Sequence, residues 1–141
     1  MNKLTIEEKV KKVNEVLKKN EPDNISVDTY SKMTGYKPQY VVDAMNQVFG
    51  FDGWGFDEIS NELVDKDENG KPKLALANIR VWLRNGEKKV LATSYGQSRV
   101  TRGDYGDAKK GAQTDAIKKG LSYFSIGNRA YHGLLSTNSN K

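Results

Sequence analysis

Two Asn-Gly pairs constrain this chain more than any other feature in it. Asn69-Gly70 and Asn85-Gly86 each separate runs of strand-forming residues, and Asn-Gly tolerates the two positive φ angles of the tightest hairpin turn. Between them residues 73–83 alternate. Ala75, Ala77, Ile79, Val81 and Leu83 point one way; Leu74, Leu76, Asn78, Arg80 and Trp82 point the other. That period of two belongs to a strand. Strands over 54–64, 73–83 and 88–95, the last ending at Ser94-Tyr95-Gly96, form a three-stranded antiparallel meander. Such a sheet needs a covering layer, and the rest of the chain must supply it.

The flanking segments read as helices. Thr5 and Glu8 form a capping box, and Ile6, Val10, Val13 and Leu17 follow at helical spacing, so a helix spans 6–19. Residues 25–36 read as a short strand or a loop. Pro38 suits the first position of a second helix, with Val41, Ala44, Met45, Val48 and Phe49 as its inward stripe and Gly50 as its stop. FGFDGWGF, residues 49–56, is a tight turn into the first strand. Residues 103–127 contain no proline and read as one long helix, capped by Asp104 and closed at Gly127. Its Ile117, Leu121 and Phe124 suit a core. Ala108, Ala112 and Ala116 make a second, nearly bulkless stripe, suited to close approach by another subunit. The expected fold is α+β: a meander packed against a long C-terminal helix, with N-terminal helices, as one domain over 1–135 and a disordered tail over 136–141.

Charge narrows the function. Residues 1–79 carry 11 Lys+Arg against 14 Asp+Glu, whereas residues 80–141 carry 12 against 4. A basic half on a small domain points to a polyanion, nucleic acid first. No apolar run approaches a membrane span and the N-terminus lacks a signal-peptide core, so no membrane partner and a cytoplasmic location are expected. The absence of cysteine removes disulfides and thiolate zinc sites. No phosphate-cradling GxxxxGK[ST] is present. The sole histidine, His132, reads as a packing or surface residue. The acids of 57–68 alternate like a solvated strand face, and a two-metal nuclease site is the weaker reading of them. Neither catalysis nor a cofactor is expected.

What remains is a set of cations: Arg80, Arg84, Arg99, Arg102, Lys109, Lys110, Lys118 and Lys119. Tyr95 and Tyr105 lie among them, while Trp82 and Tyr123 are expected in the core. Single-strand binders use cations for phosphates and aromatics for bases. A Lys-Lys pair alone is usually a solvated helix face. Here acids are scarce, and Gly111, Ala112 and Gly120 would let a backbone come near.

The order of these motifs resembles the Rad52/Rad22 family of single-strand annealing proteins. The likeness runs over about residues 38–129. It comprises Phe49-Gly50, Gly53 and Trp54 for its FGxxGW, then the Asn-Gly meander, Tyr95-Gly96, and DAKKGAQTDAIKKGL with Phe124 and Gly127-Asn128 for its hallmark helix. The resemblance implies ATP-independent binding of single-stranded DNA, annealing of complementary strands in recombination or repair, and a homo-oligomeric ring. It places inner-groove contacts at Lys118 and Lys119 and another at Lys110. A second DNA site would use Lys71 and Arg102, and Lys32 in Ser31-Lys32-Met33 corresponds to an upstream arginine of the family. Ser122 stands where the family has a groove arginine, a role Arg99 or Arg129 could fill. Compactness and Lys/Asn-rich composition point to a bacterial or phage member. A single-strand-binding protein or an exonuclease would be a partner. A binding or end-protecting module that does not anneal is the alternative.

Overall fold

The computed structural model describes residues 4–27, 34–131 and 135. Helix α1 (Ile6–Lys19) begins at the capping box: Glu8 N donates to Thr5 Oγ1 at 3.1 Å and Thr5 N to Glu8 Oε1 at 3.0 Å. A 3₁₀ turn over Glu21–Asn24 leads into β1 (Ile25–Val27), which pairs antiparallel with β2 (Thr34–Tyr36). Helix α2 (Pro38–Phe49) follows and stops at Gly50, whose φ is +78°. The main sheet is β3 (Trp54–Lys66), β4 (Pro72–Asn85) and β5 (Lys88–Arg99), ordered β3-β4-β5 and antiparallel throughout. The α+β architecture therefore matches the reading of the sequence. Residues 25–36 resolve as paired strands at both ends.

The FGxxGW turn has a steric cause. A Cβ on Gly53 would lie 2.1 Å from the Phe49 carbonyl oxygen, so only glycine closes the turn from α2 into β3. Trp54 is then buried, and its Nε1 donates to Asn46 Oδ1 at 2.7 Å. Of the two faces of β4, the core takes Ala75, Ala77, Ile79, Val81 and Leu83, all 0% exposed. Each of the larger side chains contributes about 1.5–3 kcal/mol by leaving water.

Helix α3 (Tyr105–Ser122) covers that face. It advances from Ser98 at Gly111, past Gly96, to Ser94 and Val81 at Gly120, so it runs antiparallel along β5. Four expectations change here. First, the alanine stripe is the buried face: Ala108, Ala112 and Ala116 are at most 1% exposed, and Ile117 is only half-buried. Gly96 explains the choice. A Cβ there would meet Ala116 N at 2.2 Å and Ala112 O at 2.4 Å, so helix backbone rests on strand backbone and has no room for larger residues. The stripe is used within the chain and is not a surface for another subunit.

Second, α3 ends at Ser122, not at Gly127. A turn over 123–127 takes over, with Ser125 in the left-handed region at φ +68°. Asn14 of α1 straps this turn, donating to Ser125 O and accepting from Gly127 N, each at 2.9 Å. The short helix α4 (Asn128–Tyr131) follows. Third, β5 continues past Tyr95 to Arg99, because Gly96 to Arg99 stay paired with Leu74 to Ala77 of β4. Fourth, Tyr123 is 68% exposed, and Trp82 lies half-buried on the uncovered sheet face.

Candidate nucleic-acid interface

The two lysine pairs of α3 stand in different surroundings. Lys109 and Lys110 share a shallow hollow with Glu58, Asn61 and Gln113 on the β3 flank. Asn61 Nδ2 donates to the Lys109 carbonyl at 2.9 Å, and Glu58 Oε1 accepts from Asn61 and Gln113. An acid therefore sits beside these two exposed cations.

Lys118 lies at the other end, against the β1–β2 pair. It lines a cleft with Gly35, Tyr36, Val41, Leu121 and Ile126. Its Nζ donates to the Tyr36 carbonyl at 3.4 Å, a long contact, and among the described residues it makes no ion pair. Burial holds its ammonium below the usual lysine range; the Asp115 carboxylate offsets part of this and Lys119 adds to it. A cation taken partly out of water with one weak acceptor gains most from an arriving anion. Lys119 is more exposed and pairs with Asp115 at 2.9 Å. The same Asp115 carboxylate accepts the Gln97 N–H of β5 at 3.1 Å, so it closes part of the sheet edge.

The wall behind Lys118 is built by an ion pair. Arg129 of α4 grips Glu21 through two hydrogen bonds, Nε to Oε1 at 2.7 Å and a terminal nitrogen to Oε2 at 2.9 Å. Tyr36 Oη donates to the same Oε1 at 2.7 Å. The guanidinium holds the Glu21 carboxyl below its ordinary range against the opposing effect of burial. Burial and the carboxylate push the Tyr36 phenol up. Tyr36 is thus fixed at its hydroxyl by Glu21 while its carbonyl receives Lys118. Arg129, named above beside Arg99 for the groove-arginine role, is thus engaged with Glu21 in this structure. Its partner, fixed in position, had no local signal in the sequence.

The remaining candidates are dispersed. Arg102 is exposed in the turn before α3, at φ +55°. Arg99 is exposed at the end of β5, a strand position rather than a loop one. Lys71 is exposed at the first hairpin, whose Asp67 accepts from the Asn69 and Lys71 amides at 2.9 Å. Lys32 and His132 lie outside the described residues. The acids of 57–68 do not converge: among the described residues no three His, Cys, Asp or Glu side chains stand together as metal ligands would. Among the same residues no helix is long and apolar enough to cross a membrane.

No curated protein matches the chain. The family model described as Rad52/22 family double-strand break repair protein matches residues 6–140, nearly the whole sequence. It takes in α1, the β1–β2 pair and α4 as well as the meander and α3, so the elements that build the Lys118 cleft all lie inside the match. The chain belongs to the Rad52/22 family of double-strand break repair proteins, and with it to DNA repair and recombination.

Proposed function

We propose that this protein binds single-stranded DNA through the Lys118 end of α3 and anneals complementary strands without nucleotide hydrolysis. Lys118 and Lys119 hold phosphates at the floor. Lys109 and Lys110 act as weaker contacts on the β3 flank. Arg102 and Lys71 serve a second DNA site, Arg99 takes the role of the groove arginine that Ser122 replaces, and Lys32 is a further contact. The observation that carries this reading is Lys118 itself, half-buried in a cleft and, among the described residues, held by a single long carbonyl contact at 3.4 Å. Fold stability alone gives no reason to bury an ammonium there.

A ring of identical subunits belongs to the same proposal, on grounds other than the alanine stripe. At the end of the sheet away from Trp82 the face opposite α3 exposes Tyr95 at 61%, and past the bulge at Ile59 β3 leaves an open edge beside it. A neighbouring copy laid there would cover both.

The test is annealing of complementary fluorescent oligonucleotides with no ATP and no divalent metal, together with the native mass of the particle. The proposal expects annealing and a multiple of 15.8 kDa. Binding without annealing would leave only a single-strand-binding module. A particle of one chain at micromolar concentration would remove the ring.

A further inference from the structure

The sheet face turned away from α3 carries cations that the fold does not use. Arg84 and Lys89 are direct partners across β4 and β5, a placement of like charges that costs stability in a sheet. Both rest on one ring: Arg84 Cζ lies 5.5 Å and Lys89 Nζ 5.0 Å from the Trp82 centroid. The indole lies over Gly55, where a Cβ would come within 2.5 Å of its Cζ2, so glycine makes room for the ring. Among the described residues neither cation makes an ion pair. Two like charges held together without a counter-ion attract an anion.

Beside them lies a hollow lined by Phe51, Trp54, Phe56 and Trp82, with Asn46 and Asp57. Phe51 is 84% exposed and Phe56 38%, and core packing accounts for neither exposure. Asn46 Oδ1 is already engaged by Trp54. Asp57 disfavours a phosphate inside the hollow and is free to accept an N–H from a base. Cations beside an aromatic hollow suit a nucleotide whose phosphate and base take separate places. A single strand offers that; a duplex keeps its base faces stacked.

We propose that Arg84, Lys89 and Trp82, on the face turned away from α3, form a further contact for single-stranded nucleic acid together with the Phe51–Phe56 hollow. The hollow wraps the start of the β3 edge, because Trp54 and Phe56 pair with the core-facing Leu83 and Val81. It goes beyond the proposed function, because it shares no residue with the α3 floor and requires no annealing. The strand's phosphate sits on the Arg84–Lys89 pair and one base enters the hollow.

Both tryptophans of the chain, Trp54 and Trp82, line this hollow, so intrinsic fluorescence reports on it directly. Titration with oligo(dT) is expected to quench that fluorescence, whereas a blunt duplex or inorganic phosphate leaves it unchanged. Arg84→Gln/Lys89→Gln removes the quench and flattens the salt dependence of affinity by up to about 0.7 log unit per lost contact. Phe51→Ala weakens binding by about fivefold or more, the scale of one lost stacked base. Circular dichroism confirms that both variants fold, as expected for exposed positions. Full quenching with an unchanged salt slope in Arg84→Gln/Lys89→Gln overturns the proposal, and so does equal quenching by the duplex or by inorganic phosphate. Lys118→Met/Lys119→Gln keeps the two readings apart. If that variant alone loses affinity, this contact falls and the α3 floor stands; if Arg84→Gln/Lys89→Gln alone loses it, the reverse holds.

Discussion

The two halves of α3 carry the same dipeptide, Lys-Lys, about two turns apart, and the fold treats them differently. Lys109 and Lys110 are exposed beside Glu58 and Asn61. Lys118 is drawn into a cleft against the Tyr36 carbonyl, and Lys119 beside it shares Asp115. The difference comes from elements far away in sequence: β2, α4 and the Glu21–Arg129 pair build a wall at one end of the helix and none at the other. Lysines that read alike become a shallow surface pair and a pre-placed site. Burial is what distinguishes them, and burial is assembled in three dimensions.

The most damaging change would abolish the comparison by lifting α3 off the sheet. Gly96→Val puts side-chain atoms where Ala116 N and Ala112 O now lie 2.2 and 2.4 Å from an ideal Cβ. Overpacking of this kind costs about 1–3 kcal/mol and more where backbone must move. Thermal unfolding should show a large loss of stability or no cooperative transition, with both lysine pairs displaced. A wild-type melting curve would contradict the close packing described above.

Next in size is the wall. Arg129→Met leaves the Glu21 carboxylate without its cation, so the melting temperature should fall by several degrees at neutral pH. The sign with pH is fixed. Because the folded-state pKa of Glu21 is lowered, its stabilisation is present above the unfolded carboxylate value of about 4.3. It is lost as pH falls through the lower folded value. The gap between wild type and Arg129→Met should therefore close in acid. A gap independent of pH would assign the effect to packing of the arginine stem. Should single-strand affinity also fall at neutral pH while the fold persists, the wall positions Lys118.

A smaller effect is expected from proton linkage at Lys118. Burial holds its folded-state pKa below the usual lysine range, and a bound phosphate favours the charged form. Single-strand affinity should then weaken on raising pH while free lysines are still protonated, and Lys118→Met should remove that component. Smaller still is the change for Lys109→Gln/Lys110→Gln, a few-fold at low salt, since exposed cations near an acid contribute little. Lys11 and Lys12, exposed on α1, serve as a control with no effect on binding.

Much of this fold was legible in the sequence. The Asn-Gly pairs defined the meander, the capping box began α1, and Pro38 and Gly50 bounded α2. The face of α3 was not legible in the same way. Hydrophobic periodicity favours Ile117, Leu121 and Phe124 as the inward stripe, but the distance between α3 and β5 is set by Gly96. That closeness selects Ala108, Ala112 and Ala116 as the face on the sheet, while of the expected stripe Leu121 is fully buried and Ile117 and Phe124 are partly buried against the core. The end of α3 has no local signal because it depends on Asn14, more than a hundred residues earlier, holding the 123–127 turn. The same separation hid the site. Lys118 could be picked from its motif, but its burial against β2 and the Glu21–Tyr36–Arg129 wall are tertiary facts with no local signature.

The most direct test of the central claim is the salt dependence of oligo(dT) affinity, compared between Lys118→Met/Lys119→Gln and Lys109→Gln/Lys110→Gln. Methionine keeps the bulk of the half-buried Lys118 stem, so loss of charge is separated from loss of packing. Each phosphate contact removed should flatten the slope of log affinity against log salt by about 0.7 for a single strand. The account predicts a drop approaching two contacts for the first variant, at every base sequence tried, and a smaller drop for the second. An unchanged slope in Lys118→Met/Lys119→Gln with a full drop in Lys109→Gln/Lys110→Gln would contradict it, and would place the DNA on the β3 flank of α3.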